Sequence, residues 1–242
     1  MKSLRDRVKN LVLRHIKQHP WFYRFLRYGI YARVQSANRK RVFKKAYDDN
    51  LWGSKCSASG PGSSLDATES LRNSLPSILK SIGARSILDI PCGDFQWMKS
   101  VPLGIEEYIG ADIVHALIEK NHKDFGHRGL TFVQLDLLSD PLPTTDVMFC
   151  RDCMVHLSFH DINRALANIR RAKPRYVLLT TFPHHQWNED TVTPYWRALN
   201  LQIQPFNFPK PLTLIKDFSD SQGFDQGKCL GIWRADSLGV GK

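Results

Sequence analysis

The sequence predicts an α/β fold, a mostly parallel sheet with helices on both faces, from three observations. Short apolar runs alternate with helical patterns over most of the chain, which is the arrangement of βα units. One of these runs opens the segment SILDIPCGDF at residues 86–95, where it ends in an aspartate and a tight turn, followed by residues able to start a helix. Two late apolar runs indicate a closing antiparallel hairpin. A Rossmann-like, seven-stranded sheet accounts for all three observations.

The predicted elements follow one another in a regular order. A loop rich in Gly, Ser and Pro at residues 57–64 precedes a helix that begins at Ser64 or Asp66 and runs to about residue 82. A second helix is predicted over residues 160–172. The predicted parallel strands are residues 86–90, 108–113, 131–136, 146–151 and 176–182, and the hairpin strands are residues 212–218 and 228–233.

The charge of the chain is concentrated near its beginning. The net charge is +11, but residues 1–45 hold 14 Lys and Arg against one acid, Asp6, while the rest has 20 basic and 22 acidic residues. Apolar residues recur at helical spacing between these basic residues. We therefore expect a basic amphipathic helical arm at residues 1–46 and a nearly neutral domain at residues 47–242.

Several roles for this arm remain open. It packs on its own domain or forms a loosely ordered tail, it lies on an anionic membrane surface, or it binds an anionic polymer. An organellar transit peptide has a similar composition. A nucleic-acid enzyme carries basic surface around its active site, and the nearly neutral domain gives no such pattern, so a nucleic-acid partner is not expected.

Cysteine usage and hydropathy indicate a compartment. The five cysteines are scattered, no secretory signal precedes them, and no apolar run approaches the roughly 18 residues of a membrane span. We expect a cytoplasmic protein, with peripheral attachment to the inner face of the membrane as a further option. Cys150 and Cys153 form a CxxC pair, but zinc would need a second pair of ligands, so no metal is expected.

The residues of the turn after the first strand indicate which class of cofactor the site binds. A dinucleotide site needs GxGxxG, because the backbone must approach a pyrophosphate closely. Here Pro91 and Phe95 take the first and third glycine positions, only Gly93 remains, and Asp94 would repel a pyrophosphate. S-adenosylmethionine (SAM) has no phosphate and carries an ammonium and a sulfonium. The turn favours this cation, because it brings together the carboxylates of Asp89 and Asp94.

Acidic residues stand at the ends of four predicted strands. Asp89 ends the first, and Asp112 ends the second, 23 positions later, where a carboxylate can accept hydrogen bonds from both ribose hydroxyls. Asp136 ends the third strand and can accept from an adenine amino group, and Asp152 follows the fourth. Because ligands bind at the carboxyl ends of such strands, we expect the four acids at one cleft.

Several segments together resemble the class I SAM-dependent methyltransferases. The resemblance covers about residues 47–235 and is closest to a subset with a Pro-Cys-Gly turn, mostly bacterial and often associated with glycans. The segments that carry it are LDIPCGDF, GADI, QLDLLSDPLP, DVMFCRDCMVHLS, the loop SASGPGSS, TTFP and WRALNLQIQPFNFPKPL.

The resemblance implies a role for each residue around the cofactor. Asp112 and Ile113 would hold the ribose, and Asp136 and Leu137 would frame the adenine. The residues implied at the methionine end are Asp89, Cys92, Gly93, Asp94 and Phe95, closed over by Cys150 and Arg151.

Methyl transfer to an oxygen or nitrogen also needs a place for the acceptor's proton. The candidates are Asp152, His156 and His184, with His160 and His185 as further options. If the segment is helical, His156 lies one turn after Asp152, so both would face the cleft, while His184 follows the fifth predicted strand.

Other residues are candidates for the acceptor site. The loop at residues 57–64 can fold across the cleft and donate to the SAM carboxylate. Asn188, Glu189 and Asp190 could bind a polar acceptor such as a sugar. The candidate aromatic walls of the acceptor pocket are Trp52, Trp97, Trp187 and Trp196.

These features predict a methyltransferase that uses SAM and acts on an oxygen of a glycan or of another small polar acceptor. Two alternatives remain open. One is a catalytically silent SAM-binding scaffold, with the arm as its binding module. The other is a nucleic-acid methyltransferase recruited by the arm, although RDCM stands at residues 151–154 where N6-adenine enzymes usually carry an Asn/Asp-Pro-Pro-aromatic motif.

Overall fold

The computed structural model describes residues 39–51, 57, 59–217 and 227–238. They form a seven-stranded sheet in the order β3-β2-β1-β4-β5-β7-β6. The strands are β1 (Ser86–Asp89), β2 (Glu107–Asp112), β3 (Thr131–Gln134), β4 (Val147–Cys150), β5 (Tyr176–Thr181), β6 (Thr213–Lys216) and β7 (Cys229–Arg234). The helices are α1 (Arg39–Asp48), α2 (Glu69–Ser81), α3 (His115–Phe125) and α4 (Phe159–Ala172).

The pairing of the strands confirms the predicted sheet. β1 to β5 pair in parallel, whereas β7 runs antiparallel to both β5 and β6. The predicted antiparallel hairpin is therefore present as β6 and β7. Its second strand, β7, pairs with β5 and so joins the hairpin to the parallel strands. The strand ends agree with the predictions within two residues.

The prediction that a helix follows the turn after β1 is wrong. All of residues 90–106 are described, and their only helical segment is a single 3-10 turn at Met98–Ser100. Phe95 adopts a left-handed backbone with φ of 56°, which interrupts any helix that begins at the turn. Val101 after the 3-10 turn is extended and Pro102 comes next, so the turn does not continue into a longer helix.

Both faces of the sheet are covered by helices. Alternate residues of each strand point to opposite faces, so Ile87 packs with one core and Leu88 with the other. Leu71, Leu75 and Leu79 of α2, spaced four residues apart, pack in the first core. The residues of α4 that pack in the second core are Ile162, Ala165, Leu166 and Ile169. This sandwich fixes the carboxyl ends of β1 to β4 as one edge.

Helix α1 belongs to the described end of the basic arm. Val42 and Ala46 are buried, and Arg39 reaches Asp136 after β3. The predicted boundary between residues 46 and 47 falls inside this helix and stays a prediction. The amphipathic patterns before residue 39 lie outside the described residues. Among the helices that the structure describes, none has the length and hydropathy needed to cross a membrane.

Candidate functional site

A cavity of about 460 Å³ opens at the carboxyl ends of the parallel strands. Its size is that of a typical small-molecule site. Its walls come from the segments after β1 to β4, from residues 59–63, from α1, and from Trp196 and Lys228. The residues predicted from the sequence that line it are Asp89, Cys92, Gly93, Asp94, Asp112, Ile113, Asp136, Leu137, Arg151, Asp152 and His156.

The cavity is not lined by Phe95, Cys150 or His184, which were predicted to contact the cofactor or the acceptor. Phe95 is buried behind the turn, with its ring centroid 5.2 Å from those of Tyr108 and Phe132. Cys150 ends β4 with its side chain in the core on the α4 side. His184 is exposed on the loop after β5, beside Gly227. Their predicted contacts with cofactor or acceptor therefore lack support from this placement.

Asp89 is buried at the end of β1. The Tyr108 hydroxyl donates a hydrogen bond of 2.5 Å to its Oδ2. Burial raises the pKa of the Asp89 carboxyl to about 7, although the bond from Tyr108 acts in the opposite direction. A carboxyl group of this kind gains from a cationic ligand, because the ligand's charge stabilises its ionised form.

Asp112 is fixed by two backbone groups at the end of β2. The N–H of Gly93 donates to its Oδ2 at 3.1 Å, and the N–H of Val114 donates to its Oδ1 at 2.9 Å. Burial raises the pKa of this carboxyl to about 6, against the effect of these hydrogen bonds. Each oxygen keeps a further lone pair, so the group can accept two hydroxyl hydrogens in a fixed orientation.

The turn that follows β1 is contacted by Ser57 and by the loop at residues 59–63. The Ser57 hydroxyl donates to Asp94 Oδ2 at 2.9 Å, and the Asp94 N–H donates to Ser59 Oγ at 3.1 Å. Gly93 has φ of 56°, and a Cβ there would lie 2.1 Å from Ser59 Oγ. Glycine is therefore required at position 93 by backbone angle and by space.

The end of the cavity predicted to hold adenine contains an ion pair. Arg39 donates from Nε and Nη2 to Asp136 Oδ2 at 3.0 and 2.7 Å, and Leu138 N–H donates to Oδ1 at 2.9 Å. Arg39, Phe43 and Tyr47 line the cavity at four-residue spacing on α1. Sequence reasoning missed Arg39, because one arginine among 14 basic residues carries no local signal.

Asp152 lies at the opposite end, after β4. Its backbone is left-handed, with φ of 52°, and its N–H donates to Thr180 Oγ1 at 2.8 Å. Burial acts to raise the pKa of its carboxyl, but Lys228 and Arg151 outweigh burial and hold it at about 2. The Lys228 Nζ lies 2.6 Å from Asp152 Oδ2, and Arg151 Nη1 lies 3.2 Å from it. Asp152 is therefore ionised at neutral pH.

His156 stands beside Asp152 in a 3-10 turn, Met154–His156, where one turn of helix was predicted. Burial lowers its pKa to about 4, although the Asp152 charge acts in the opposite direction. The ring is therefore neutral, and its Nδ1 lies 3.1 Å from the carbonyl oxygen of Pro194. Since a carbonyl only accepts, Nδ1 carries the hydrogen and Nε2 is the basic nitrogen.

The loop after β5 is held by side-chain hydrogen bonds to backbone carbonyls. Arg197 donates to the carbonyls of Met154 and Leu157 at 2.8 Å each. Asn188 donates to two backbone carbonyls of the same loop. Its side chain therefore stabilises the loop, whereas a contact with the acceptor was predicted. Asp190 likewise accepts from the N–H of Phe159.

The aromatic candidates are placed differently from one another. Trp196 lies at the rim of the cavity, 41% exposed, with its ring edge-to-face on Phe182 at 5.8 Å. Trp97 is buried in the wall under the Arg151 guanidinium. Trp187 is 62% exposed and does not line the cavity, and Trp52 lies outside the described residues.

Comparisons with known proteins agree with this geometry. Residues 87–174, which include β1 to β4 and α4, match the family model described as a methyltransferase domain. No curated protein matches the sequence. Among solved structures, the methyltransferase domain of bacterial CtHen1 is similar with a TM-score of 0.51 and 14% identity, covering 71% of this chain and 100% of that one. That likeness supports the fold.

Two further similar structures come from Bacillus subtilis and Clostridium acetobutylicum. YcgJ from B. subtilis is 24% identical with a TM-score of 0.37, over 45% of this chain and 50% of that one. An S-adenosylmethionine-dependent methyltransferase from C. acetobutylicum is 10% identical with a TM-score of 0.42, over 48% and 51%. The chain thus spans about half the length of these two proteins.

Residues 87–174 match a methyltransferase domain, and the sheet order and the acidic strand ends agree with a Rossmann-like methyltransferase fold. The cofactor that the sequence predicts for such a domain is S-adenosylmethionine. The described residues fit it, because the buried carboxyl groups of Asp89 and Asp112 line the cavity and a cationic ligand would stabilise their ionised forms.

Proposed function

We propose that this chain transfers the methyl group of SAM to an oxygen of a polar acceptor, a glycan or a small molecule. One observation carries the proposal. A single cavity has buried carboxyl groups suited to a cation along one side and, at the end of β4, the ionised Asp152 beside the neutral His156. Trp196 at the rim offers a flat apolar face to the acceptor.

Each part of the cofactor has residues suited to it. The methionine end would contact Asp89, Cys92, Gly93 and Asp94, and Arg151 would close over it. Asp112 and Ile113 would hold the ribose. Asp136 and Leu137 would frame the adenine, with Arg39 sharing the Asp136 carboxylate. The cofactor supplies an electrophilic methyl carbon, and the chain's task is to align the acceptor with it.

Asp152 and His156 divide the work at the acceptor. With a pKa of about 2, Asp152 is a poor base, but its carboxylate can orient the acceptor by accepting a hydrogen bond from a group next to the reacting hydroxyl. The neutral His156 would take the proton of the reacting hydroxyl on Nε2 as the methyl group leaves the sulfur of SAM, which becomes S-adenosylhomocysteine, and joins the hydroxyl oxygen. The charge of Asp152 then stabilises the imidazolium, as it already acts to raise the pKa of His156.

The acceptor end suits an uncharged acceptor. Arg151 and Lys228 are balanced there by Asp152 and Asp217, and His156 is neutral. A hydroxyl group fits this arrangement better than a phosphate or an ammonium, since neither charge would find a net opposite charge.

The basic arm is proposed as a contact to an anionic membrane surface on the cytoplasmic side. Lys40, Arg41, Lys44 and Lys45 of α1 are exposed, and they continue the basic composition of residues 1–38. Removal of residues 1–38 should weaken binding to anionic vesicles and leave SAM affinity intact, because α1 stays in place. Unchanged vesicle binding by the shortened chain would contradict this role.

The direct test is transfer of tritiated methyl from SAM into fractions of an extract of the source organism. We expect label in the polysaccharide or small polar fraction, lost with His156→Ala and kept with His122→Ala, an exposed histidine on α3 that serves as the control. Label only in RNA would overturn the acceptor class. No label in any fraction would overturn methyl transfer and favour a silent SAM-binding protein.

A further inference from the structure

Four charged residues meet at the acceptor end and form what we call the charge cluster: Arg151, Asp152, Asp217 and Lys228. They come from distant parts of the chain, because the first two follow β4, Asp217 follows β6 and Lys228 precedes β7. The side chains of Lys228 and Asp217 are 2% and 0% exposed. Charges buried this deeply persist only when they are paired.

Asp217 holds the two cations of the cluster. Arg151 donates to it from Nε and Nη2, at 2.8 Å each, and Lys228 Nζ lies 3.4 Å from its Oδ2. Arg151 also donates to the carbonyl of Gly62, at 2.8 Å. The guanidinium is therefore directed mainly at Asp217 and Gly62, and its contact with Asp152 is the longer one, 3.2 Å.

Lys228 is the principal partner of Asp152. Its Nζ donates to Asp152 Oδ2 at 2.6 Å, shorter than the contact from Arg151, and it lines the cavity. Asp152 needs such a partner, because burial disfavours its ionised carboxylate unless a positive charge lies beside it. The lysine thus fixes one oxygen of the carboxylate and leaves the other directed toward Thr180 Oγ1, 3.5 Å away.

We propose that Lys228 is a positioning residue that holds Asp152 in place for the acceptor, which makes the β6–β7 hairpin part of the active site. This inference rests on the proposed function. It explains why the closing hairpin, far from the cofactor motifs in sequence, contributes a buried lysine to the cavity wall. Asp217 has the supporting role of fixing Lys228 and Arg151 together.

The inference can be tested through the pKa of Asp152. The charged and titratable groups that face it are Lys228 and Arg151, with His156 beside it and Asp217 behind the two cations. When Lys228 is removed, Asp152 loses the largest of the charges that oppose the effect of burial, so its pKa rises. Lys228 also lowers the pKa of His156, so its removal moves the acidic limb of the transfer rate, which follows the protonation of His156, to higher pH.

The test compares Lys228→Met and Lys228→Arg with Lys216→Met, an exposed lysine on the same hairpin. The first readout is the carboxyl carbon NMR titration of Asp152, assigned by Asp152→Asn. We expect the titration midpoint of Asp152 to rise by about one pH unit or more in Lys228→Met. In Lys216→Met the midpoint should equal that of the unaltered chain. SAM affinity by calorimetry should stay within about twofold in all three.

The second readout is methyl transfer at saturating SAM into the fraction labelled by the unaltered chain. Methyl transfer by Lys228→Met should fall about tenfold or more, with its acidic limb moved to higher pH, and Lys228→Arg should recover part of the loss. An unmoved titration of Asp152, or transfer equal to that of Lys216→Met, would overturn the inference while the proposed function stands. If the unaltered chain transfers no label to any fraction, both the proposed function and this inference are contradicted.

Discussion

Asp112 and Gly93 join the ends of two neighbouring strands, because the Gly93 N–H donates to Asp112 Oδ2 at 3.1 Å. The bond links the turn after β1 to the end of β2 and fixes the carboxylate toward the cavity. Burial and this orientation together make Asp112 the most sharply defined of the residues proposed to bind the cofactor.

Replacing Asp112 by Ala should weaken SAM binding by about 1–3 kcal/mol, because a fixed pair of hydrogen-bond acceptors is lost. Isothermal titration calorimetry measures the change directly. Asp124→Ala is the matched control, since Asp124 lies on the exposed side of α3 and pairs with Lys120. Equal affinities for both variants and the unaltered chain would remove the ribose role from Asp112.

The affinity for SAM should rise with pH between about 5 and 8, by up to tenfold per unit for each group that ionises. Burial raises the pKa of Asp89 to about 7 and that of Asp112 to about 6, so both are largely protonated below these values. A cationic ligand favours the ionised forms. Calorimetry across this range measures the slope, and S-adenosylhomocysteine, without the sulfonium charge, should show a weaker one.

The same groups give the free chain the opposite trend. A carboxyl group with a pKa raised by folding stabilises the folded state only while protonated, so the free energy of unfolding should fall as pH rises from about 4 through 7. Asp89→Asn should flatten the upper part of this change in urea unfolding. A slope unaltered by Asp89→Asn would show that Asp89 does not titrate in this range.

Gly93→Ala should lower the free energy of unfolding by about 1–3 kcal/mol, because its Cβ would meet Ser59 Oγ at a left-handed backbone position. Gly129→Ala is the matched control, with φ of 74° and no atom within 4 Å of the added Cβ. A further change of Ser59 to Gly should restore part of the loss specific to Gly93. Equal losses at both glycines would mean that Ser59 does not crowd the turn.

Arg39→Ala should loosen α1, because its bonds to Asp136, 2.7 and 3.0 Å long, hold the helix on the cavity. We expect the opening free energy of residues 39–48 in hydrogen exchange to fall by roughly 1–3 kcal/mol. Lys44→Ala removes an exposed ion pair on the same helix and should have little effect. Unchanged exchange in Arg39→Ala would mean that other contacts dock α1.

The sequence predicts well what depends on local patterns. The alternation of apolar runs and helices is enough to predict that the carboxyl ends of the parallel strands lie at one edge of the sheet. The acids at residues 89, 112, 136 and 152 follow from that edge, and all four line the cavity. The Pro-Cys-Gly turn likewise predicts a cofactor without phosphates.

What the sequence does not predict depends on contacts between distant residues. Asp217 pairs with Arg151 from 66 positions away, and Lys228 pairs with Asp152 from 76 positions away. Neither the spacing nor the residue types predict these pairs. Phe95 was misplaced because its left-handed backbone turns the side chain into an aromatic cluster instead of the cleft. Cys150 was misplaced because alternation along β4 directs its side chain to the core.

The measurement that bears most directly on the cofactor, and so on the whole mechanism, is calorimetry of the unaltered chain with SAM and, separately, with NAD. We expect SAM to bind at one site per chain, with an affinity that Asp112→Ala weakens and Asp124→Ala does not. NAD should show no binding, because Asp94 and the missing glycines oppose a pyrophosphate. Tight binding of NAD with none of SAM would contradict the cofactor and every role assigned around it.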